Sequence, residues 1–214
     1  MPDHLPKLIL ASRSPRRREL LLQAGYSFEV RPSQEAVECG FGHHSAAVVG
    51  GESPAELVAR LAYQKAADVA RNTRSGLILG CDTVVECRGK ILGKPVDENH
   101  AREILRALSG REHRVLSGLC LWRGSDGRSR VGVASSTLRM DPLSDGQLDE
   151  YLASGAWQGK AGAFGYQDRL GWVHVIEGSE SNVVGLPLEL LAEMLAQFEA
   201  ENGLGPGASP HSAQ

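Results

Sequence analysis

Arg16, Arg17 and Arg18 follow a Ser-Pro pair in the stretch "ILASRSPRRRELLLQAG". Ser14 has the side chain of an N-cap, Pro15 suits the first helical position, and Gly25 suits the residue just past the end. All three arginines then fall in the first turn. The macrodipole there is positive, so each cation costs roughly 0.3–1 kcal/mol. Something negative nearby would offset this, and a phosphate is one candidate because the first N–H groups of a helix are also unpaired.

Four further residues carry chemistry in unusual places. Lys65 lies four residues after Leu61 and seven after Val58, on the apolar stripe of a second helix. It either snorkels from the edge of the stripe or points an ammonium into a cleft. Asp82 interrupts an apolar run between "LILGC" and "TVVEC", which reads as the end of a buried strand. A carboxylate there either caps a turn or faces a ligand, since ligands collect at the carboxyl ends of strands in open α/β sheets. Lys94, between Gly93 and Pro95, is a long cation on a rigid turn. Gln167 follows the glycine-rich "GKAGAFGYQ"; its amide suits a base edge, or it is a polar residue beside a bulge.

Known phosphate and nucleophile motifs do not account for these residues. "GKILGKP" has one residue too few for a P-loop and a proline where Ser or Thr would bind magnesium. No G-x-G-x-x-G follows the first strand, and neither G-x-S-x-G nor H-E-x-x-H occurs. The four cysteines, Cys39, Cys81, Cys87 and Cys120, make no C-x-x-C pair or metal spacing. With no secretory pattern or long apolar run, reduced thiols in a cytoplasmic protein are expected. His43 and His44 fall in "GFGHHSAAVVGG", expected to be a flexible loop rather than a metal site.

The elements that must position these groups alternate along the chain. "KLILAS" reads as a strand leading into the arginine helix, and "YSFEVRPS" as a second strand. Residues 34–51 read as an irregular insertion. Ser53, Pro54 and Glu56 form a capping box that opens the Lys65 helix. "GLILGCDTVVECRGKILGKP" reads as strand, polar break at Asp82, strand, a turn at Arg88 to Lys90, and a short return. Asp97 caps the next helix, a long hairpin turns at Ser125-Asp126-Gly127, and Ser144 with Gln147 caps another helix. A loop and strand and a final helix, "LPLELLAEMLAQFEAEN", complete the core. This alternation with hairpins predicts a mixed sheet. One domain over residues 1–202 is expected, with 203–214 a disordered tail.

The bulk composition is that of an ordinary globular chain. Its 214 residues are 42% hydrophobic and 23% charged, with a net charge of −3. The arginine cluster is therefore local, and with only 5% aromatic residues a nucleic-acid polymer is a poor partner.

Seven ordered segments, "LASRSPRRRELL", "LAYQKA", "GCDTVV", "ILGKP", "LSGREHRV", "GKAGAFGYQ" and "EGSESNVVGLPLELL", resemble the Maf family of nucleoside-triphosphate pyrophosphatases over Leu8 to about Leu195. The resemblance implies an elongated mixed α/β fold similar to inosine-triphosphate pyrophosphatases, with two lobes around a cleft and often a homodimer. It implies hydrolysis of a nucleoside triphosphate to its monophosphate and pyrophosphate with Mg²⁺ or Mn²⁺. Carried over by position, Ser12, Arg16 and Arg17 match phosphate contacts, Lys65 and Lys94 the lysines lining the cleft, and Asp82 the proton acceptor. Glu38, with Glu35 as a rival, matches an acidic residue that would share a metal with Asp82. Arg16, Thr83 and Gln167 resemble the branch acting on dTTP and UTP, with 5-methyl-UTP or pseudo-UTP as related substrates. The competing readings are 7-methyl-GTP specificity and a nucleotide-binding regulator of septum formation with little turnover. Cys81 stands where Ser or Ala is common, and "YQD" where "IQG" is common, so Asp168 beside Gln167 bears on base selectivity.

Overall fold

The computed structural model describes residues 7–34 and 51–203. Glu35, Glu38, Cys39, the His43-His44 pair and residues 204–214 lie outside the described residues. The elements are β1 (Leu8–Leu10), α1 (Pro15–Gln23), β2 (Phe28–Val30), α2 (Pro54–Ala70), β3 (Leu77–Cys87), β4 (Lys90–Leu92), α3 (Glu98–Leu108), β5 (Glu112–Arg123), β6 (Ser129–Met140), α4 (Asp145–Ala153), β7 (Val173–Glu177), α5 (Glu180–Val184) and α6 (Leu188–Gly203). The caps expected from sequence form. Ser14 Oγ accepts from Arg17 N, Asp97 accepts from His100 N, and Ser53 with Glu56 and Ser144 with Gln147 close capping boxes. Gly25, with φ at +77°, stops α1.

The strands form one mixed sheet in the order β2-β1-β3-β5-β6-β7, with β4 also on β3. β1 lies parallel to both β2 and β3, and the remaining pairs are antiparallel. β3 is one unbroken strand. The break read at Asp82 is absent because Asp82 and Thr83 stay in register with Gly118 and Ser117 of β5. On the other edge, β1 pairs only with Leu77–Leu79 and β4 only with Val85–Cys87. Residues 80–84 therefore have no strand partner on that edge among the described residues, and Asp82 sits just beyond the carboxyl end of β1.

Two cores share one face of the sheet. Leu77, Leu79 and Leu119 pack with Leu20 and Leu21 of α1 and with Leu191 and Phe198 of α6. Val85, Cys87 and Val115 pack with Leu105 of α3 and Leu152 of α4. The row between them is polar, Thr83 beside Ser117, so two lobes meet at a hydrophilic seam. α2 covers the opposite face along the whole strand, setting Ala62 and Ala66 against Ile78, and Val58 and Leu61 against Val84.

That helix approaches closely because two glycines face it. A Cβ on Gly80 would lie 2.1 Å from the Ala62 carbonyl oxygen, and one on Gly118 2.2 Å from that of Val58. Neither backbone oxygen can move aside without shifting α2. The short α5 has no counterpart among the helices read from the sequence. Its five residues are too few to show a period, and Gly185, with φ at +119°, ends it.

Gly80→Ala and Gly118→Ala should each cost at least about 2 kcal/mol by overpacking. Gly146→Ala, which meets nothing within 4 Å, should change stability by less than about 1 kcal/mol. Urea unfolding of the three variants measures the contrast.

Candidate active site

Asp82 and Thr83 are neighbours on a strand, so their side chains leave opposite faces of the sheet at its open edge. Each is the centre of a polar cluster. On the α2 face, Lys65 Nζ donates to Asp82 Oδ1 at 2.6 Å. The Lys65 side chain is 4% exposed and that of Asp82 17%. The ammonium thus points inward, and the snorkelling alternative does not hold. A charge desolvated to this degree is retained only with a partner of opposite sign.

On the other face, Arg17 is the hub. Its Nε donates to the Gly185 carbonyl at 2.9 Å, Nη1 to Ser12 Oγ at 3.1 Å and Nη2 to Thr83 Oγ1 at 3.2 Å. Thr83 Oγ1 also lies 2.8 Å from Ser117 Oγ. The Gly185 oxygen accepts from Cys81 Sγ as well, at 3.2 Å. Burial raises the Cys81 thiol pKa above its ordinary value. Ser12, Arg17 and Thr83 are therefore one hydrogen-bonded unit. The oxygens drawn to this helix terminus are those of the protein itself.

Arg16 crosses from α1 to the glycine-rich loop, where Nη2 donates to the Gly159 carbonyl at 3.2 Å. Burial and then the Arg17 charge lower its pKa, while the nearby Asp168 carboxylate opposes them. That loop forms two 3-10 turns, Ala161–Ala163 and Tyr166–Asp168. It is tied to the segment bearing Lys94 by Gly162 N donating to the Gly93 carbonyl at 3.0 Å. Lys94 is exposed. Gln167 is exposed too and lines an open cavity of about 640 Å³ with Gly165, Tyr166, Leu20 and Gln23. Asp82, Lys65 and Lys94 are not in that lining. The structure thus joins Lys65 to Asp82 and Arg17 to Ser12 and Thr83, ties Arg16 and the segment bearing Lys94 to the glycine-rich loop, and sets Gln167 on that loop.

Sequence reasoning passed over Lys160, Tyr151 and His113. Lys160 and Tyr151 both bond Asp168. His113, buried in β5, stacks edge-on under Phe164 of the loop at 5.5 Å, and its Nε2 has no partner among the described residues. Its motif, "LSGREHRV", was visible, but nothing local marked which way the imidazole points.

Among the described residues no three of His, Cys, Asp and Glu gather to enclose a metal ion. Asp82 offers a single carboxylate, and a lysine stands beside it. This suits a cation that arrives with phosphate oxygens and keeps several waters, as Mg²⁺ does.

The family model described as Maf-like protein matches residues 7–198. A curated dTTP/UTP pyrophosphatase of Rhodopirellula baltica is 53% identical over 193 residues, covering 90% of this chain and 82% of that protein. Those of Dehalococcoides mccartyi and Symbiobacterium thermophilum are each 42% identical, over 203 and 195 residues. They cover 92% and 91% of this chain, and 87% and 95% of their own lengths.

Arg17→Ala should destabilise the ligand-free chain by about 2–4 kcal/mol, because three oxygens lose a charged donor. Arg16→Ala should leave stability unchanged or raise it by up to about 1 kcal/mol through the removed dipole clash. Thermal unfolding without nucleotide separates the two roles. His113 gives a pH signature. Burial lowers its pKa to about 4, below the unfolded value near 6.5. As pH falls through that window the unfolded chain binds a proton that the native chain refuses, and stability drops. The loss should reach roughly 3 kcal/mol, and His113→Leu should abolish this part of the slope in urea titrations from pH 7 to 4.

Proposed function

The chain belongs to the Maf family, and from that membership and the clusters at Asp82 and Thr83 we propose that it is a hydrolase splitting dTTP and UTP into the monophosphate and pyrophosphate. The observation that carries the reading is the Lys65–Asp82 pair at the open edge of β3, one residue from the Arg17–Ser12–Thr83 unit. A triphosphate brings about four negative charges, and Arg16, Lys65 and Lys94 with the start of α1 supply matching positive potential. 5-Methyl-UTP and pseudo-UTP fit the same chemistry.

In this reading water attacks the α-phosphorus, the bond from that phosphorus to the bridging oxygen breaks, and pyrophosphate leaves. Asp82 takes the proton of the attacking water, and Lys65, donating to Oδ1, holds the carboxylate in position. Arg17 positions Ser12 and Thr83, while Arg16 and Lys94 hold phosphate oxygens in line. Gln167 offers a donor and an acceptor to the pyrimidine edge. A divalent cation, Mg²⁺ or Mn²⁺, would be held by Asp82, with Glu38 as the second carboxylate, and would supply charge neutralisation at the phosphates.

The activity belongs to free nucleotides in the cytoplasm rather than to membranes or polymers. The net charge of −3 and the free thiols of Cys81, Cys87 and Cys120 support this.

With Mg²⁺ or Mn²⁺, the purified protein should release pyrophosphate from dTTP and UTP faster than from ATP, GTP or 7-methyl-GTP. Release of orthophosphate would move the cleaved bond. Nucleotide bound but left intact would favour the regulatory reading. Asp82→Asn should lower kcat at least about 100-fold, with folding checked by circular dichroism.

A further inference from the structure

Between α4 and the glycine-rich loop lies a cluster that this chemistry leaves unused. Lys160 Nζ meets both oxygens of Asp168, at 2.7 and 2.5 Å, and Tyr151 Oη donates to Asp168 Oδ2 at 3.0 Å. The Lys160 and Asp168 side chains are 16% and 23% exposed, so the pair is largely desolvated but still open to solvent. Gly165 makes room for it. A Cβ there would lie 2.4 Å from Lys160 Nζ and 2.7 Å from Asp168 Oδ2. Gly165 also lines the cavity that Gln167 enters. Arg16, on the neighbouring carbonyl of Gly159, feels the same carboxylate.

One carboxylate therefore presents two oxygens to an ammonium and a phenol, with a guanidinium close by. These are the donors that hold a phosphoryl group. The Asp168 charge also acts on Arg16, a first-turn cation that the α1 dipole disfavours. We propose that Lys160 is a further phosphate ligand of the site, and that Asp168 is its displaceable stand-in when no nucleotide is bound. The proposal rests on the triphosphate reading above. An entering polyphosphate exchanges one anion for another at Lys160, so the ammonium is never left unpaired in a half-buried place. Asp168 thereby weakens binding by competing for Lys160, whereas a simple strut would not.

Titration calorimetry of the full chain with inorganic pyrophosphate tests this without relying on turnover. A charge-assisted bond of this kind corresponds to about tenfold or more in affinity. Lys160→Met should therefore weaken pyrophosphate binding at least about tenfold, and Lys160→Arg should retain it within about threefold. Asp168→Asn should tighten it about three- to tenfold by releasing the ammonium. Lys160→Met takes the ammonium from Asp168, leaving only the Tyr151 hydroxyl on it, and is at risk of misfolding, so the double variant Lys160→Met/Asp168→Asn supplies the control. It should bind as weakly as the single lysine variant. Unchanged affinity in the lysine and double variants, or weaker binding in Asp168→Asn, overturns the proposal while the wild-type chain still binds pyrophosphate. A wild-type chain that binds neither pyrophosphate nor dTTP overturns the functional reading itself, and this proposal with it.

Discussion

The edge of β3 is divided between two partners, and the rest of the site depends on that division. β1 takes the first three residues in parallel and β4 the last three in antiparallel, while β5 holds the opposite edge throughout. The strand runs unbroken because β5 ladders it from Leu77 to Glu86, and it is accessible because the middle of the other edge is unpaired by any described strand. Strand period then does the sorting. Asp82 goes to the α2 face with Gly80, and Thr83 goes to the seam with Cys81. Two clusters of different character are thus anchored on consecutive residues of a rigid element. A loop would hold neither with the same constraint.

Positive charge at the start of α1 is tolerated because it is spent on named oxygens. Arg17 places three donors on Gly185, Ser12 and Thr83, which links α1, the end of β1, β3 and the turn after α5. Arg16 reaches across the seam to the other lobe. The Gly185 carbonyl, receiving donors from Arg17, Cys81 and Thr83, does for this terminus what a bound anion would do in part. Donors already oriented by protein need little reorganisation when negative charge arrives.

Local chemistry was legible in the sequence, and long-range pairing was not. Ser14, Ser53, Asp97 and Ser144 cap their helices as read, because a cap is decided within four residues. The mixed sheet and the long hairpin followed from alternation and a turn signal. Asp82 was misread as a strand end because a carboxylate inside an apolar run looks like a break. Its partner, Lys65, lies on another element, and only the bare backbone of Gly80 and Gly118 lets that element come near. Lys65 was ambiguous for the same reason. Asp168 was noticed for its charge, but its bonds to Lys160 and Tyr151 needed the fold of the loop, with Gly165 left bare beneath them. Glu38 and Glu35 fall outside the described residues, so the second carboxylate rests on resemblance alone.

α2 ties these parts together. Its buried face seats Ala62 and Ala66 on Gly80, which sets the depth at which Lys65 meets Asp82. One turn later Asp68, itself buried, accepts from the backbone N–H of Gln34 at 2.8 Å. The helix that aims the ammonium thus also pins the last described residue before Glu35. A helix docked by backbone contact has little freedom to slide, because a shift of a few tenths of an ångström would drive the Ala62 carbonyl into β3. Lys65 and the chain leading to the acidic residues are consequently fixed relative to Asp82 by the same contact. The two glycines of the sheet thereby govern the geometry of groups they never touch.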